Sequence, residues 1–251
     1  RSVDRAFTIL QKLGESGGMT LSDLSREIGV AKSTVHDIMS TLENRGIVVK
    51  DPDLLNYGLG WRLFELGRMA QENMELRKIA KGPLERLHRI LDETVHLTVL
   101  DSGEVLYVDV FESSKRLRTY SVIGVRAPLH CTSVGKAMMA YMDDAQVDRI
   151  IDQYGLARFT DRTITDRDVL GEELRRVRSK GYAVDDIEHE PGVRCVGAAI
   201  KDYKGAVFAS ISISGPTARI TPNRVAELGK LAKETADEIS ERLGYRKSEN
   251  E

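Results

Sequence analysis

A chain of 251 residues with 41% hydrophobic and 30% charged residues can fill two cores, and its net charge of −2 gives no general attraction to nucleic acid. No apolar run reaches the roughly 18 residues needed to span a bilayer, so a membrane protein is not expected. Two cysteines, Cys131 and Cys195, are too few for a disulfide framework and fit a reducing compartment, which points to the cytoplasm.

The first residues, Arg1-Ser2-Val3-Asp4, lack the basic-then-apolar order of a secretory signal, and without an initiator Met they predict a trimmed start. Val3, Ala6, Phe7, Leu10 and Leu13 then repeat at helical spacing, and glycines 14, 17 and 18 end that helix. Thr20 caps a second helix with Leu21, Leu24 and Ile28 inward and Asp23 at the capping-box position. After Gly29-Val30-Ala31 comes a third helix, with Val35, Ile38, Met39 and Leu42 inward. Two short helices joined by a three-residue, Gly-containing turn are the helix-turn-helix signature. Residues 47–50 and 56–59, around the turn Asp51-Pro52-Asp53, predict a β-hairpin, and a hairpin at that place is a wing.

The opposite face of the third helix carries Ser33, Thr34, His36, Asp37 and Ser40. Residues early in a recognition helix reach base edges. His36 can donate to a purine acceptor and Asp37 can accept from a cytosine amino group. Lys32, beside the helix N-terminus, is placed for phosphate, and Lys50 in the wing for backbone or minor groove. Charge does not help: the first 60 residues hold seven basic and eight acidic side chains. A bare helix-turn-helix pattern with these side chains merely solvated is the competing reading, and the wing weighs against it.

A helical stretch from Gly60 is expected to break at Gly82-Pro83, because proline cannot continue the hydrogen-bond ladder. That gives a winged-helix domain at 1–60, a helical linker at 61–82 and a second domain at 83–251. From Thr94 the period changes to two, with strands expected at 95–100, 105–110 and 117–123. Helices follow: one capped by Thr132 or Ser133, then 143–151 and 168–178, the last with Thr165 and Asp168 as a capping box. Strands return at 182–185, 194–201 and 207–214, and Thr221-Pro222 opens a final helix. Helices packed on an antiparallel sheet make an α+β fold.

In this second domain small polar groups converge. Ser212 and Ser214, two apart on one strand, share a face. Cys195 lies on the partner strand and Asp185 ends the strand before it. The helix starting near Ser133 offers backbone N–H groups to a carboxylate. Together they suit a small oxygenated acid. The serines also read as ordinary hydroxyls in a half-buried strand, and Cys195 as an inert buried thiol. His130, Cys131, His189 and Cys195 match no metal-ligand spacing, so neither metal nor cofactor is expected. A thiol enzyme using Cys195, His189 and Asp185 is the alternative, although a Gly-x-Ser-x-Gly elbow is absent. A dimerising interaction module is the third.

The chain resembles the isocitrate lyase regulator (IclR) family over essentially its whole length. The matching stretches are Lys32-Ser33-Thr34-Val35-His36, Tyr57-Gly58-Leu59-Gly60, Ser133-Val134-Gly135-Lys136-Ala137 and Gly181-Tyr182-Ala183-Val184-Asp185-Asp186. Most specific are Glu188-His189-Glu190-Pro191-Gly192-Val193-Arg194-Cys195-Val196 and Ser210-Ile211-Ser212-Ile213-Ser214-Gly215-Pro216. The resemblance implies a winged helix joined to a GAF-like effector domain. It implies dimers, often paired into tetramers, that repress or activate transcription from double-stranded operator DNA, with roughly palindromic half-sites. Effector contacts are implied at Asp185, Val193, Cys195, Ser212 and Ser214 and at the backbone of Ser133 and Val134. Pocket walls are implied near Arg116, Thr119 and Ala127, where smaller or more polar residues argue against ligands as small as glyoxylate or pyruvate. Leu117 to Gly124, with Arg126 and Pro128-Leu129, and Arg162 to Thr165, resemble the branch that senses 2-keto-3-deoxygluconate. Asp37 departs from the family, where arginine is common.

Overall fold

The computed structural model describes residues 2–51, 55–72, 75–119 and 122–246. The chain divides into two compact units, 1–74 and 75–251.

The first unit runs α1 (Ser2–Ser16), α2 (Leu21–Ile28), α3 (Lys32–Asn44), β1 (Val48–Lys50), β2 (Tyr57–Leu59) and α4 (Trp61–Glu72). Thr20 Oγ1 accepts from Asp23 N at 3.2 Å and donates to the Asp23 carboxylate at 2.7 Å, so the expected cap forms. Gly29 ends α2 in the left-handed region (φ 63°), which turns the chain sharply into α3. Ile9, Leu13, Leu24, Val35, Met39, Val48 and Tyr57 make the core, and Ile38 and Leu42 pack half-buried against it. β1 and β2 pair antiparallel, closed by Asp51 N to Asn56 O at 2.7 Å. Pro52 and Asp53 of the expected turn lie outside the described residues. Met19 exchanges two backbone bonds with Tyr57, which ties the wing to the α1–α2 connection.

The second unit runs α5 (Glu75–Leu91), β3 (Thr94–Asp101), β4 (Glu104–Phe111), β5 (Arg126–Ala127), α6 (Ser133–Met139), α7 (Asp144–Tyr154), α8 (Arg167–Lys180), β6 (Ala183–Asp186), β7 (Val193–Lys201), β8 (Val207–Pro216) and α9 (Val225–Arg242), the last entered through a 3₁₀ turn at Pro222–Arg224. The six strands form one sheet in the order β5-β4-β3-β8-β7-β6, antiparallel throughout. On β7, Val196, Ala198 and Ile200 face one way, and that side is buried under α9, which packs with α5. Gly197 faces the other way, toward α6. A Cβ at Gly197 would lie 2.9 Å from the Ser133 carbonyl carbon, so the missing methyl lets the start of α6 lie on the strand.

Three sequence expectations fail here. Pro83 does not break a helix: α5 passes through it, because Leu76, Ala80, Pro83, Leu84 and Leu87 form one buried stripe. Burying that stripe outweighs the roughly 3 kcal/mol cost of an interior proline. The second unit therefore begins at Glu75. No strand forms among the described residues of 117–123. That segment is held from outside the sheet, by Arg219 Nη1 donating to Leu117 O at 2.8 Å, and the two-residue β5 pairs with β4 instead. Helix α8 is capped by Asp166 rather than Thr165, since the Asp166 carboxylate accepts from Asp168 N and Val169 N while Thr165 Oγ1 takes a bond from Arg158.

Candidate functional site

In the first unit, Lys32, Ser33, His36, Asp37 and Ser40 are exposed on α3 and Thr34 is half-buried. Lys32 Nζ donates to Ser22 Oγ at 2.9 Å, which fastens the start of α3 to α2. His36 Nδ1 lies 3.8 Å from the Asp37 carboxylate. Lys50 is exposed on β1, its ammonium 5.7 Å from the centre of the Tyr57 ring. Six of the seven predicted contact residues are thus exposed on α3 and the wing, and Thr34 is the exception.

In the second unit the sheet register gathers the polar residues. Asp185 pairs with Cys195, and Cys195 with Ser214. Ser212 sits opposite Gly197 on one side and His96 on the other. Residues directly opposite on antiparallel strands point to one face, so these rows share the face that α6 covers. They line a cavity together with Val193, with Ser133 and Val134 at the start of α6, and with Thr119. Its volume, about 40 Å³, admits about three waters at 10–15 Å³ each. Two expected wall residues lie elsewhere. Arg116 is exposed in a surface bend, and Ala127 is buried in the core formed with α6, α7 and α8.

The sequence reading missed His96, Tyr107 and Glu190, which also line the cavity, and it had named Thr132 only as a helix cap and His189 only as a metal or catalytic candidate. His96 is the informative omission: its Nδ1 lies 3.0 Å from Ser212 Oγ and 3.3 Å from Ser214 Oγ, and its ring meets Tyr107 edge-on at 5.1 Å. The signal was the polar alternation of His96 and Thr98 within an apolar strand. Burial pushes the His96 ring down to about 4, so it is neutral at physiological pH. Burial likewise holds the Tyr107 phenol protonated.

Asp185 is almost fully buried, and its Oδ1 accepts from Glu188 N at 2.7 Å and His189 N at 3.3 Å. Burial first, then the nearby Glu188 charge, pushes its carboxyl up to about 7 despite those donors. Behind it, the wholly buried Lys136 ion-pairs with Glu188 and lies 3.7 Å from Glu173. Among the described residues Glu188 Oε2 has no hydrogen-bond partner, nor has the Oγ1 of Thr119, a buried residue of the cavity wall. Thr132 caps α6, its Oγ1 accepting from Gly135 N at 3.1 Å.

The thiol-enzyme alternative finds no support in this chemistry. Burial raises the Cys195 thiol well above its usual range, with Asp185 adding to it, whereas a nucleophilic cysteine needs a stabilised thiolate. Among the described residues no cluster of three or more His, Cys, Asp or Glu is arranged for a metal. Nor is any described helix long and apolar enough to cross a membrane.

Comparison with known proteins accounts for both units. Residues 2–52 match the model of the IclR helix-turn-helix domain, and residues 69–241 that of the bacterial transcriptional regulator IclR C-terminal domain. The chain is 37% identical over 244 residues to the HTH-type transcriptional regulator KdgR of Escherichia coli K12, covering 97% of this chain and 93% of that one. This likeness fits the branch indicated by residues 117–129 and 162–165. Identity to the HTH-type transcriptional regulator XynR of the same organism is 33% over 246 residues, covering 98% of each. The crystal structure of the Thermotoga maritima IclR superposes with a TM-score of 0.78 at 32% identity, covering 97% of this chain and 98% of that one. This chain belongs to the IclR family of bacterial transcription regulators, DNA-binding proteins whose C-terminal domain receives an effector.

Proposed function

We propose that the polar cavity binds a small oxygenated carboxylic acid, of which 2-keto-3-deoxygluconate is the best candidate, and that occupancy alters operator binding by paired winged helices. The observation that carries the reading is Thr119, whose buried hydroxyl has no partner among the described residues, in the wall that Asp185, Ser212 and Ser214 also line. A buried hydroxyl without a hydrogen bond costs free energy, and a polyhydroxylated ligand supplies the bond. Asp185, held near neutrality, donates to a ligand oxygen when protonated instead of repelling a carboxylate. Ser133 and Val134 face the same space from the start of α6.

A six-carbon acid is larger than about three waters, and we infer that the wall moves on binding. Only a ligand with different affinity for the closed and opened walls can shift the regulator between DNA-binding states. The chain leading from α4 into α5 is the route from one unit to the other, and a second copy binds the other half-site of a roughly palindromic operator. Exposed apolar side chains in the first unit, Val3 and Phe7 one turn apart on α1 and Trp61 and Phe64 on α4, favour such a dimer, and pairs of dimers give the tetramer. A cytoplasmic location belongs to the same reading.

Fluorescence anisotropy on a fragment of the regulator's own promoter region tests it. Adding 2-keto-3-deoxygluconate should change the operator affinity at least fivefold, and the Asp185→Ala/Ser212→Ala double variant should bind the fragment but not respond. If the sugar acid neither binds by calorimetry nor changes the anisotropy, the assignment of effector falls.

A further inference from the structure

The second unit holds another cavity, of about 210 Å³, whose chemistry is the reverse of the first. Its floor is apolar and buried, formed by Leu129, Met139 and Ile151. Tyr154 and Phe159, each somewhat under half exposed, form its mouth. We propose that this cavity is a second ligand site, distinct from the polar one, that takes a neutral single-ring aromatic molecule.

Size and charge both lead to that class. An apolar cavity of about 150 Å³ already accepts benzene, so this one has room for a ring with one or two small substituents. The polar groups around it have partners. The Tyr154 hydroxyl donates to Ser102 O, His130 Nε2 lies 3.0 Å from Ala157 O, and Glu104 lies 3.7 Å from Arg126. Burial lowers the basicity of His130, so it offers no cation. An anionic guest would meet the Glu104 carboxylate and lose its hydration with no Lys or Arg among the lining residues, since Arg126 is paired with Asp101 and Glu104 outside the lining. A neutral ring instead gains contact with Ile151 and Met139 below and with two aromatic faces at the mouth. Phe159 also lies 5.2 Å, ring to ring, from His189 of the polar cavity, so the two sites share a wall. Nothing in the mouth asks for a carboxylate, which separates this ligand from the effector acid.

The full-length protein, labelled at methionine and isoleucine methyls, tests the proposal by NMR titration with toluene. Met139 and Ile151 methyl signals should shift saturably, whereas benzoate at the same concentration should leave them in place. Ala157 lines the cavity from an exposed loop, so Ala157→Phe fills it without disturbing the core and should weaken toluene binding at least tenfold. Absence of saturable shifts up to the solubility of toluene overturns the site, as do equal shifts with benzoate or undiminished binding by Ala157→Phe. Should Ala157→Phe fail to fold, wild-type crystals under xenon pressure decide: xenon in contact with Ile151 and Met139 upholds the cavity as a site, and no xenon there refutes it.

Discussion

The winged-helix unit buries apolar side chains and leaves Ser33, His36, Asp37 and Ser40 in solvent, whereas the effector unit encloses Asp185, Ser212, Ser214 and Lys136. A surface that reads DNA gains its free energy when the partner arrives, so its side chains can wait hydrated. An enclosed polar cavity carries a desolvation cost in the free protein and must be held by its own bonds and by the fold around it. The difference teaches where a substitution is felt: as lost affinity in the first unit, and as lost stability and affinity in the second.

The largest expected effect follows from one lysine in each unit. Lys136→Ala leaves Glu188 buried without its counter-charge, and urea denaturation should show a loss of about 3–5 kcal/mol. Lys32→Ala, on an exposed Lys–Ser contact, should cost less than about 0.5 kcal/mol in the same measurement. Equal losses would remove the contrast between the units.

A crossed pair of binding measurements comes next. Ser33→Ala with His36→Ala should weaken operator binding by about 1–3 kcal/mol per base-edge contact and leave effector affinity unchanged. Asp185→Ala with Ser212→Ala should do the reverse. A result in which each pair weakens both activities alike would break the division of labour.

A smaller effect separates the units by pH. Because burial raises the Asp185 carboxyl from 3.8 to about 7, the folded state holds a proton that the unfolded state has released between those values. Stability is therefore full below pH 4 and falls as pH rises toward 7, by at most about 1.4 kcal/mol per unit. Glu188 shifts in the same direction, also through burial. Asp185→Asn, whose amide oxygen can still accept from Glu188 N, should remove its share of the slope when melting is followed from pH 4.5 to 8. An unchanged slope would mean that Asp185 titrates normally. The smallest effect is electrostatic: Lys32→Ala should lower the salt slope of operator binding by about 1.

Legibility followed the same division. Local chemistry carried the first unit: Thr20 with Asp23 and Gly29 between two short amphipathic stretches define α2, the turn and α3 without reference to distant residues. The second unit depends on register. That Ser212 and Ser214 share a face was readable from spacing alone, but His96 joins them only because β3 lies beside β8, some 116 residues away in sequence. Pro83 misled because a local rule met a buried stripe that overrode it. The alternation in 117–123 misled for the converse reason: its pattern suits a strand, yet Leu117, Val122 and Ile123 remain exposed and Thr119 is buried in the cavity wall.

Gly197 sets how closely α6 lies on the sheet. With hydrogen as its side chain, β7 lets the backbone of Ser133 settle onto the sheet, so the depth of the cavity is set by a gap smaller than a methyl group. Adding that one carbon would act as a wedge under α6, lifting the roof while leaving the polar side chains below unchanged in kind. A regulator altered in this way would keep its grip on DNA and become deaf, or permanently switched, through geometry alone.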